Sequence, residues 1–254
     1  MSKKTLYELI DSGASIDEIK AAIASGADVN CKGFAGSTPL HAAAKATLYS
    51  NEDVGKYETI IRVLIEAGAD VNARDDGKAT PLFYVQTEKE VKLMLDAGAD
   101  VNYKGYRGDT PLHDIAGRDA FSDTDNSVVC ALIDGGADVN ARNEDGETPL
   151  HKAVGDVDID EVGLEDVIRA LIDGGADVNA EDNNGRTPLW IVKYIGLSHN
   201  YDDFQETIQV LIDLLLQAGA NDCEVDREDD DDDWDSDDDS EEGTEDEDEE
   251  EEEE

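Results

Sequence analysis

Short apolar runs recur along the chain in a fixed order, with the spacing of amphipathic helices. In one example, Leu40 opens a run of small residues, and a second run over residues 60–67 (IIRVLIEA) ends at Gly68. Glycine tolerates the left-handed backbone conformation that stops a helix. The pattern therefore predicts repeated units of helix, loop and helix, each followed by a hairpin-like turn that leads to the next unit.

Two short motifs mark these units at a constant distance. Thr-Pro-Leu begins 12 positions after each of five copies of Gly-Ala-Asp-Val-Asn, and a degenerate copy of the latter begins at Gly219. The motif starts are Gly26 and Thr38, Gly68 and Thr80, Gly98 and Thr110, Gly136 and Thr148, and Gly175 and Thr187. The threonine can cap a helix whose first residue is the proline. Because the copies lie 30 to 44 residues apart while this joint stays constant, the sequence predicts a solenoid of stacked units.

The joint Thr-Pro-Leu-His, read together with Gly-Ala-Asp-Val-Asn, resembles the ankyrin repeat over residues 1 to about 221. The resemblance implies an all-α solenoid of about six helix-turn-helix repeats joined by β-hairpin-like turns. It also implies that partners dock on a concave face made by the turns and the first helices. Three units keep histidine in the joint and two replace it, at His41, His113 and His151 and at Phe83 and Trp190. The repetition of this histidine indicates a structural hydrogen-bonding role.

The repeat pattern divides the chain into three segments. Residues 1–30 lack the Thr-Pro-Leu joint and are predicted to be an N-terminal capping repeat, while residues 31–221 are predicted to hold five further repeats. The extra residues of the longer units are expected to lengthen the turns between the two helices, at 47–57, 118–127, 156–163 and 196–203. Sequence drift and a partner-contacting rim both remain open as explanations for these insertions.

The third segment, residues 222–254, holds 25 acidic residues and one basic residue, in a chain with a net charge of −45. Like charges at this density repel and hydrate, so the segment is predicted to be a disordered acidic tail. It can serve solubility alone, or it can attract a basic partner. Its charge repels phosphate, so we expect no direct binding of nucleic acid. Trp234 stands alone within the acidic run and is a candidate anchor for a partner.

Catalytic chemistry finds little support in the sequence. Three of the four histidines belong to the repeating joint, and His199 lies in an insertion without a matched second group. Residues 32–37 (KGFAGS) lack the spacing and the lysine of a phosphate-binding loop. The three cysteines stand far apart, at Cys31, Cys130 and Cys223, which suits a reducing compartment and suggests no metal site. We therefore expect a protein that is not an enzyme and needs no cofactor.

The sequence also bears on location. No apolar stretch reaches 18 residues, so no membrane-spanning helix is expected. Residues 1–10 lack the apolar core of a signal peptide. These features predict a cytoplasmic monomer, and a nuclear protein or one delivered into a host cell are the alternatives.

The turns at 31–37, 73–79, 103–109, 141–147 and 180–186 form the candidate binding surface. They contain 7 of the 19 basic residues that precede residue 222, together with several aromatic residues. Aromatic residues and arginine dominate binding hot spots. The partner-binding candidates are Phe34, Arg74, Tyr103, Lys104, Tyr106, Arg107, Arg142 and Trp234. Ordinary variation of turn residues is the competing explanation.

The sequence thus predicts a protein-binding scaffold that recognises or sequesters a protein partner, with the acidic tail attracting a basic one. The alternative is an inhibitor or immunity-type protein that blocks a toxin or nuclease by mimicking nucleic acid, or a host-directed effector. One further hypothesis joins the two charged regions. In it, residues 222–254 fold back on the N-terminal turns and shield their basic residues, Lys32, Arg74, Lys104 and Arg107.

Overall fold

A computed structural model of the chain describes residues 4–49, 54–118, 126–155, 163–198 and 205–222. Within these ranges the chain forms eleven α-helices and no β-strand. In chain order the helices are α1 Leu6–Asp11, α2 Ile16–Ala24, α3 Pro39–Tyr49, α4 Val54–Glu66, α5 Glu88–Asp96, α6 Pro111–Ala116, α7 Ser127–Asp134, α8 Pro149–Gly155, α9 Leu164–Asp173, α10 Pro188–Ser198 and α11 Gln205–Gln217. A 3₁₀ turn over Pro81–Tyr84 takes the place of a first helix before α5. These elements make six pairs, and the predicted all-α solenoid is confirmed.

Equivalent helices of successive pairs pack side by side in two rows. The first row runs through α1, α3, the 3₁₀ turn, α6, α8 and α10, and the second runs through α2, α4, α5, α7 and α9. The last helix, α11, packs against α10. The leucines of the joint lie in the first row and are fully buried, at Leu40, Leu82, Leu112, Leu150 and Leu189. Each unit therefore buries its apolar face against its neighbours, as a solenoid requires.

The glycine that opens each Gly-Ala-Asp-Val-Asn motif follows the second helix of its unit. Gly68 follows α4 with a φ of 91°, and the equivalent φ angles lie between 86° at Gly26 and 95° at Gly219. Glycine adopts this left-handed conformation without the strain that a side chain would introduce. The predicted stop signal is therefore confirmed.

The histidine of the joint connects each unit to the next. His41 Nδ1 lies 2.8 Å from Thr38 Oγ1 and accepts the Thr38 N–H at 3.2 Å, while Nε2 lies 3.1 Å from the Ala79 carbonyl oxygen. A carbonyl can only accept and a backbone N–H can only donate, so the proton is on Nε2 and the ring is neutral. Burial accordingly lowers the pKa of His41.

The same contacts recur at two further joints. His113 bonds to the Glu147 carbonyl and His151 bonds to the Arg186 carbonyl, each at 3.1 Å. Burial lowers the pKa of both imidazoles. The predicted structural hydrogen-bonding role of these histidines is therefore confirmed.

A second set of bonds uses the asparagine of each motif, which sequence reasoning did not single out. Asn30 Oδ1 accepts the Asp70 N–H at 2.8 Å, and Asn30 Nδ2 donates to the Gly68 carbonyl at 3.2 Å. Equivalent bonds to the following unit are made by Asn72, Asn102, Asn140 and Asn179. The last of them holds the N–H of Asn221 at 2.7 Å. This asparagine ladder therefore runs as far as the last described residues of the chain.

The sequence places the insertions wholly in the turns between helices, and this expectation is partly wrong. Helix α3 continues to Tyr49 and α4 already begins at Val54, so most of the first insertion lengthens helices. Residues 196–198 likewise belong to α10. Of the other inserted residues, 50–53, 119–125, 156–162 and 199–203 lie outside the described residues, and so does the predicted acidic tail beyond residue 222.

Candidate protein-binding edge

Five loops connect the second helix of one unit to the first helix of the next. We call them tips 1 to 5, and they comprise residues 31–37, 73–79, 103–109, 141–147 and 180–186. A backbone hydrogen bond closes each tip, as from the Gly33 N–H to the Ser37 carbonyl and from the Gly105 N–H to the Asp109 carbonyl, both at 2.8 Å. Because the units stack, the tips follow one another along one side of the solenoid, which we call the tip edge.

Tips 1 and 3 share the sequence Lys-Gly-aromatic-x-Gly and the same backbone conformation. A 3₁₀ turn covers Phe34–Gly36 in tip 1 and Tyr106–Gly108 in tip 3, and its middle residue has a positive φ, 49° at Ala35 and 51° at Arg107. The aromatic rings that open these turns point away from the core, since Phe34 is 84% exposed and Tyr106 is 67% exposed. Two candidate residues are thus presented to solvent at equivalent positions.

The residues with positive φ also link one tip to the next. The Ala35 carbonyl accepts the Asp76 N–H at 3.0 Å, and the Arg107 carbonyl accepts the Glu144 N–H at 2.8 Å. A left-handed conformation is unfavourable for a residue with a side chain and persists where the surroundings hold it. The exposed rings of tips 1 and 3 therefore stand on an ordered backbone, which lowers the entropy cost of binding.

A basic residue occupies one position, six residues after the motif glycine, in four of the five tips. We call these four residues the basic column: Lys32, Arg74, Lys104 and Arg142. Lys32 Nζ donates to the Arg74 carbonyl oxygen at 2.9 Å, and Lys104 Nζ donates to the Arg142 carbonyl oxygen at 2.8 Å. A carbonyl has no net charge, so these contacts order each ammonium group without cancelling its charge. Within the described part of the chain, no side chain of the column forms an ion pair with a carboxylate.

Tyr103 is a partner-binding candidate, but the structure leaves it less exposed than Phe34 and Tyr106. The residue is half-buried, and its ring packs edge-on against Phe83 with 6.4 Å between the ring centroids. The Arg74 guanidinium lies 5.7 Å from the centroid of the Tyr103 ring. This distance is within the range of a cation–π interaction. Tyr103 therefore supports Arg74 and offers a partner only part of its ring.

Arg107 contributes less free charge than its sequence position suggests. Its Nη2 atom lies 3.0 Å from Asp145 Oδ2 of the next tip, and both side chains are exposed. The carboxylate compensates the guanidinium charge, although an exposed pair of this kind stabilises a fold by only about 0–1 kcal/mol. The remaining candidate, Trp234, lies outside the described residues.

A polar cluster beside tip 2 was missed by the sequence analysis. The Tyr84 hydroxyl donates to Asp75 Oδ2 at 2.7 Å, and Lys45 Nζ lies 3.6 Å from the same oxygen and 4.1 Å from the centroid of the Tyr84 ring. Burial raises the pKa of Tyr84, and the hydrogen bond to Asp75 adds to this effect. The phenol therefore stays protonated and acts as a donor that fixes tip 2 on the shortened third unit. In the sequence, Lys45 lies four positions after the joint histidine of one unit and Tyr84 directly follows the joint of the next, which gives no direct sign of their contact.

Among the residues that the structure describes, no three His, Cys, Asp or Glu side chains are grouped so that they could hold a metal ion. No helix in the same ranges has the length and apolar character needed to cross a membrane.

Comparison with known proteins agrees with this architecture. The sequence model of the ankyrin repeat family (three copies) matches residues 6–104 and 118–222. The chain therefore belongs to the ankyrin repeat family. Ankyrin repeats generally mediate protein–protein interaction, and proteins of the family are typically non-enzymatic scaffolds. No curated protein matches the chain in sequence.

Two solved structures resemble the chain over most of its length. An ankyrin repeat domain from Acinetobacter baumannii AYE is 27% identical, and the match covers 85% of this chain and 98% of that one with a TM-score of 0.65. The ankyrin repeat protein EF0377 is 22% identical, and the match covers 87% of this chain and 100% of that one with a TM-score of 0.66. The second likeness supports the fold alone.

Proposed function

We propose that the tip edge recognises a protein partner, with Phe34 and Tyr106 as apolar anchors and the basic column beside them. The observation that carries this proposal is the equivalent exposure of the two rings, at 84% and 67%, on tips that are tied to their neighbours. Aromatic anchors on an ordered backbone are typical of binding hot spots. Arg107 extends the same surface through its pair with Asp145.

The distribution of charge supports a basic partner. Residues 1–104 hold 12 basic and 16 acidic residues, whereas residues 105–221 hold 7 basic and 24 acidic residues. Residues 222–254 add 25 acidic residues and one basic residue. A basic protein is attracted by the C-terminal half and the acidic tail, with Trp234 as a further contact. Apolar contact with tips 1 and 3 then supplies specificity.

Replacing both anchors tests the proposal. We expect F34A/Y106A to weaken capture of the partner, because each hot spot contributes about 2 kcal/mol or more, or roughly a 30-fold change in affinity. The measurement is affinity capture of partners by the native and variant chains, at low and high salt, followed by titration of the protein recovered.

V210A/L216A is the matched control, since it removes two apolar side chains that are 37% and 38% exposed on α11, which is not part of any tip. Equal loss of partner in both variants would argue against the tip edge. A partner that still binds F34A/Y106A at high salt with native affinity would also contradict the proposal.

A second candidate function follows from the concentration of acidic residues. Residues 105–254 hold 49 acidic and 8 basic residues, a density that suits mimicry of nucleic acid by an inhibitor of a toxin or nuclease. In that case F34A/Y106A leaves inhibition unchanged, whereas salt abolishes it. The two candidate functions therefore predict different responses to the same variant, a loss of binding for the first and no change for the second.

A further inference from the structure

The basic column places one cation on each of four successive tips. Stacked helices lie 8–10 Å apart, so the column spans roughly 24–30 Å from Lys32 to Arg142. Lys32 and Lys104 are held by backbone carbonyls of the next tip, and Arg74 rests on Tyr103. Three of the four cations thus have a defined position, and Glu181 occupies the equivalent place in tip 5. The result is a row of positive charges on successive tips in a chain of net charge −45.

An extended acidic peptide has the spacing to match this row. A polyproline II chain has three residues per turn and a rise of about 3.1 Å per residue, so every third side chain faces the same way at intervals of about 9 Å. Repulsion between like charges favours an extended chain. The ligand that the column fits is therefore an extended segment with a carboxylate at every third position.

The chain carries such a segment around its lone C-terminal tryptophan. Within residues 229–239 (DDDDDWDSDDD), one series with a spacing of three consists entirely of aspartates: Asp229, Asp232, Asp235 and Asp238. Each of the other two series with this spacing is interrupted by a residue that is not acidic, Ser236 in one and Trp234 in the other. Asp229 and Asp238 are nine residue steps apart, or about 28 Å in this conformation. Their number and span agree with those of the basic column.

The chain also leaves the stack at a suitable place. The Asn221 N–H belongs to the asparagine ladder at the base of the tips, so the chain reaches the same edge as the column. From there, Arg142 lies two units away, or about 16–20 Å. The seven residues from Asp222 to Asp229 reach about 23–25 Å when extended. The connection is therefore long enough.

We propose that residues 229–239 of this chain dock along the basic column in the same molecule. Asp229 faces Arg142 and Asp238 faces Lys32, so the segment runs antiparallel to the order of the units. Trp234 then lies beside Tyr106 and the exposed part of Tyr103 and covers the tip edge. This inference rests on the proposed function, because the docked segment competes with the partner for the same edge. A basic partner binds the acidic residues, withdraws them from the column and uncovers the aromatic anchors.

Fluorescence of Trp234 tests the docking, because the chain has only two tryptophans and W190F leaves Trp234 as the single reporter. Acrylamide quenching is measured in the full-length W190F chain at about 0.01 M and at about 1 M salt, where the Debye lengths are about 30 Å and 3 Å. We expect Trp234 to be protected at low salt and to approach the quenching of the denatured chain at high salt. Subtracting the fluorescence of W234F from that of the native chain also isolates the quenching of Trp234, and it leaves Trp190 unaltered.

Two charge-matched variants locate the contact. R74E/K104E changes one arginine and one lysine of the column, whereas K20E/R62E changes the same residue types, both exposed, on α2 and α4. We expect R74E/K104E to lose the protection at low salt and K20E/R62E to keep it. If thermal melting shows that R74E/K104E is unfolded, R74Q/K104Q replaces it.

Three outcomes overturn the proposal. They are full exposure of Trp234 at low salt, protection that survives R74E/K104E, and protection that rises with protein concentration, which would assign the column to a second copy. None of them decides the proposed function, because capture by F34A/Y106A is measured independently of Trp234. Loss of docking with retained sensitivity to F34A/Y106A would leave partner recognition standing alone.

Discussion

Thr80 is the residue at which the loss of the joint histidine has a clear local consequence. Its hydroxyl is buried and has no hydrogen-bond partner in the described part of the chain, because Phe83 stands where three of the other joints have histidine. It also makes no capping bond to the turn that follows. The equivalent Thr110 hydroxyl lies 2.8 Å from His113 Nδ1. The chain therefore contains a paired and an unpaired copy of the same buried hydroxyl.

Substitution by valine should affect stability differently at Thr80 and at Thr110. We expect T110V to lower the free energy of unfolding by about 1–3 kcal/mol, because it removes a buried hydrogen bond. T80V removes only an unsatisfied group, so we expect stability to stay the same or rise by up to about 1 kcal/mol. Urea unfolding followed by circular dichroism gives both values. Equal destabilisation by the two variants would mean that the Thr80 hydroxyl has a partner.

At the residue scale, the sequence predicts the role of a residue that recurs in a fixed joint, but not that of a residue whose contacts differ from unit to unit. The bonds of His41, His113 and His151 could be anticipated because the residue recurs in a fixed joint. The partial burial of Tyr103 could not, because it depends on Phe83 of the preceding unit. The same holds for Lys104, whose partner is a carbonyl 38 residues away.

Among the elements, α4 has one glycine in its first turn and another just after its last turn, and the two have opposite requirements. Gly55 lies in its first turn, where an added Cβ meets nothing within 4 Å and the φ angle is not positive. Gly68 follows its last turn with a φ of 91°. The same substitution therefore tests helix propensity at one end and the left-handed stop at the other.

We expect G55A to stabilise the fold by about 0.5–1 kcal/mol, because alanine is the better helix former. We expect G68A to destabilise it by about 1–2 kcal/mol, because alanine must adopt the left-handed conformation. Thermal and urea unfolding of the two variants check both values. A stabilising G68A would mean that the chain can leave α4 by another route.

The lengths of the elements were less predictable than their order. Each pair of helices after the first begins at the joint and ends just before the motif glycine. Both positions can be read from the sequence, because the distance from the glycine to the next joint is always 12 residues. Inside the first insertion no proline interrupts residues 47–57, and α3 and α4 extend into it from both sides. Local sequence does not limit a helix there, because packing against the neighbouring helices decides how far it continues.

For the molecule as a whole, the row of six units follows from the repeated joint, whereas the tip edge follows only in part. Composition identified the aromatic and basic residues of the tips, including Phe34 and Tyr106. It did not reveal that the tips are tied together, as through the Ala35 and Arg107 carbonyls. These ties depend on backbone conformations that a single sequence does not report. They turn separate loops into one surface.

The bonds that join the units also make the stability of the whole stack depend on pH. Burial lowers the pKa of His41, His113 and His151 below about 6.5, the value expected in the unfolded chain. The unfolded chain therefore takes up more protons as the pH falls through this value, and the neutral rings stabilise the fold fully only above it. Protonation of the many carboxylates acts in the opposite direction, because it relieves repulsion. The contribution of histidine must therefore be isolated by a variant.

H113F provides that variant, because the third unit already carries phenylalanine at this position. One proton corresponds to about 1.4 kcal/mol per pH unit, so we expect H113F to reduce the loss of stability on acidification by up to that slope. The free energy of unfolding in urea is compared between about pH 7.5 and about pH 5.5, the interval around the unfolded pKa. T80V is the control, since it alters a joint without removing a titrating group. An H113F chain with the native slope would show that His113 is not held neutral, and the hydrogen bond to the Glu147 carbonyl would then not set its protonation.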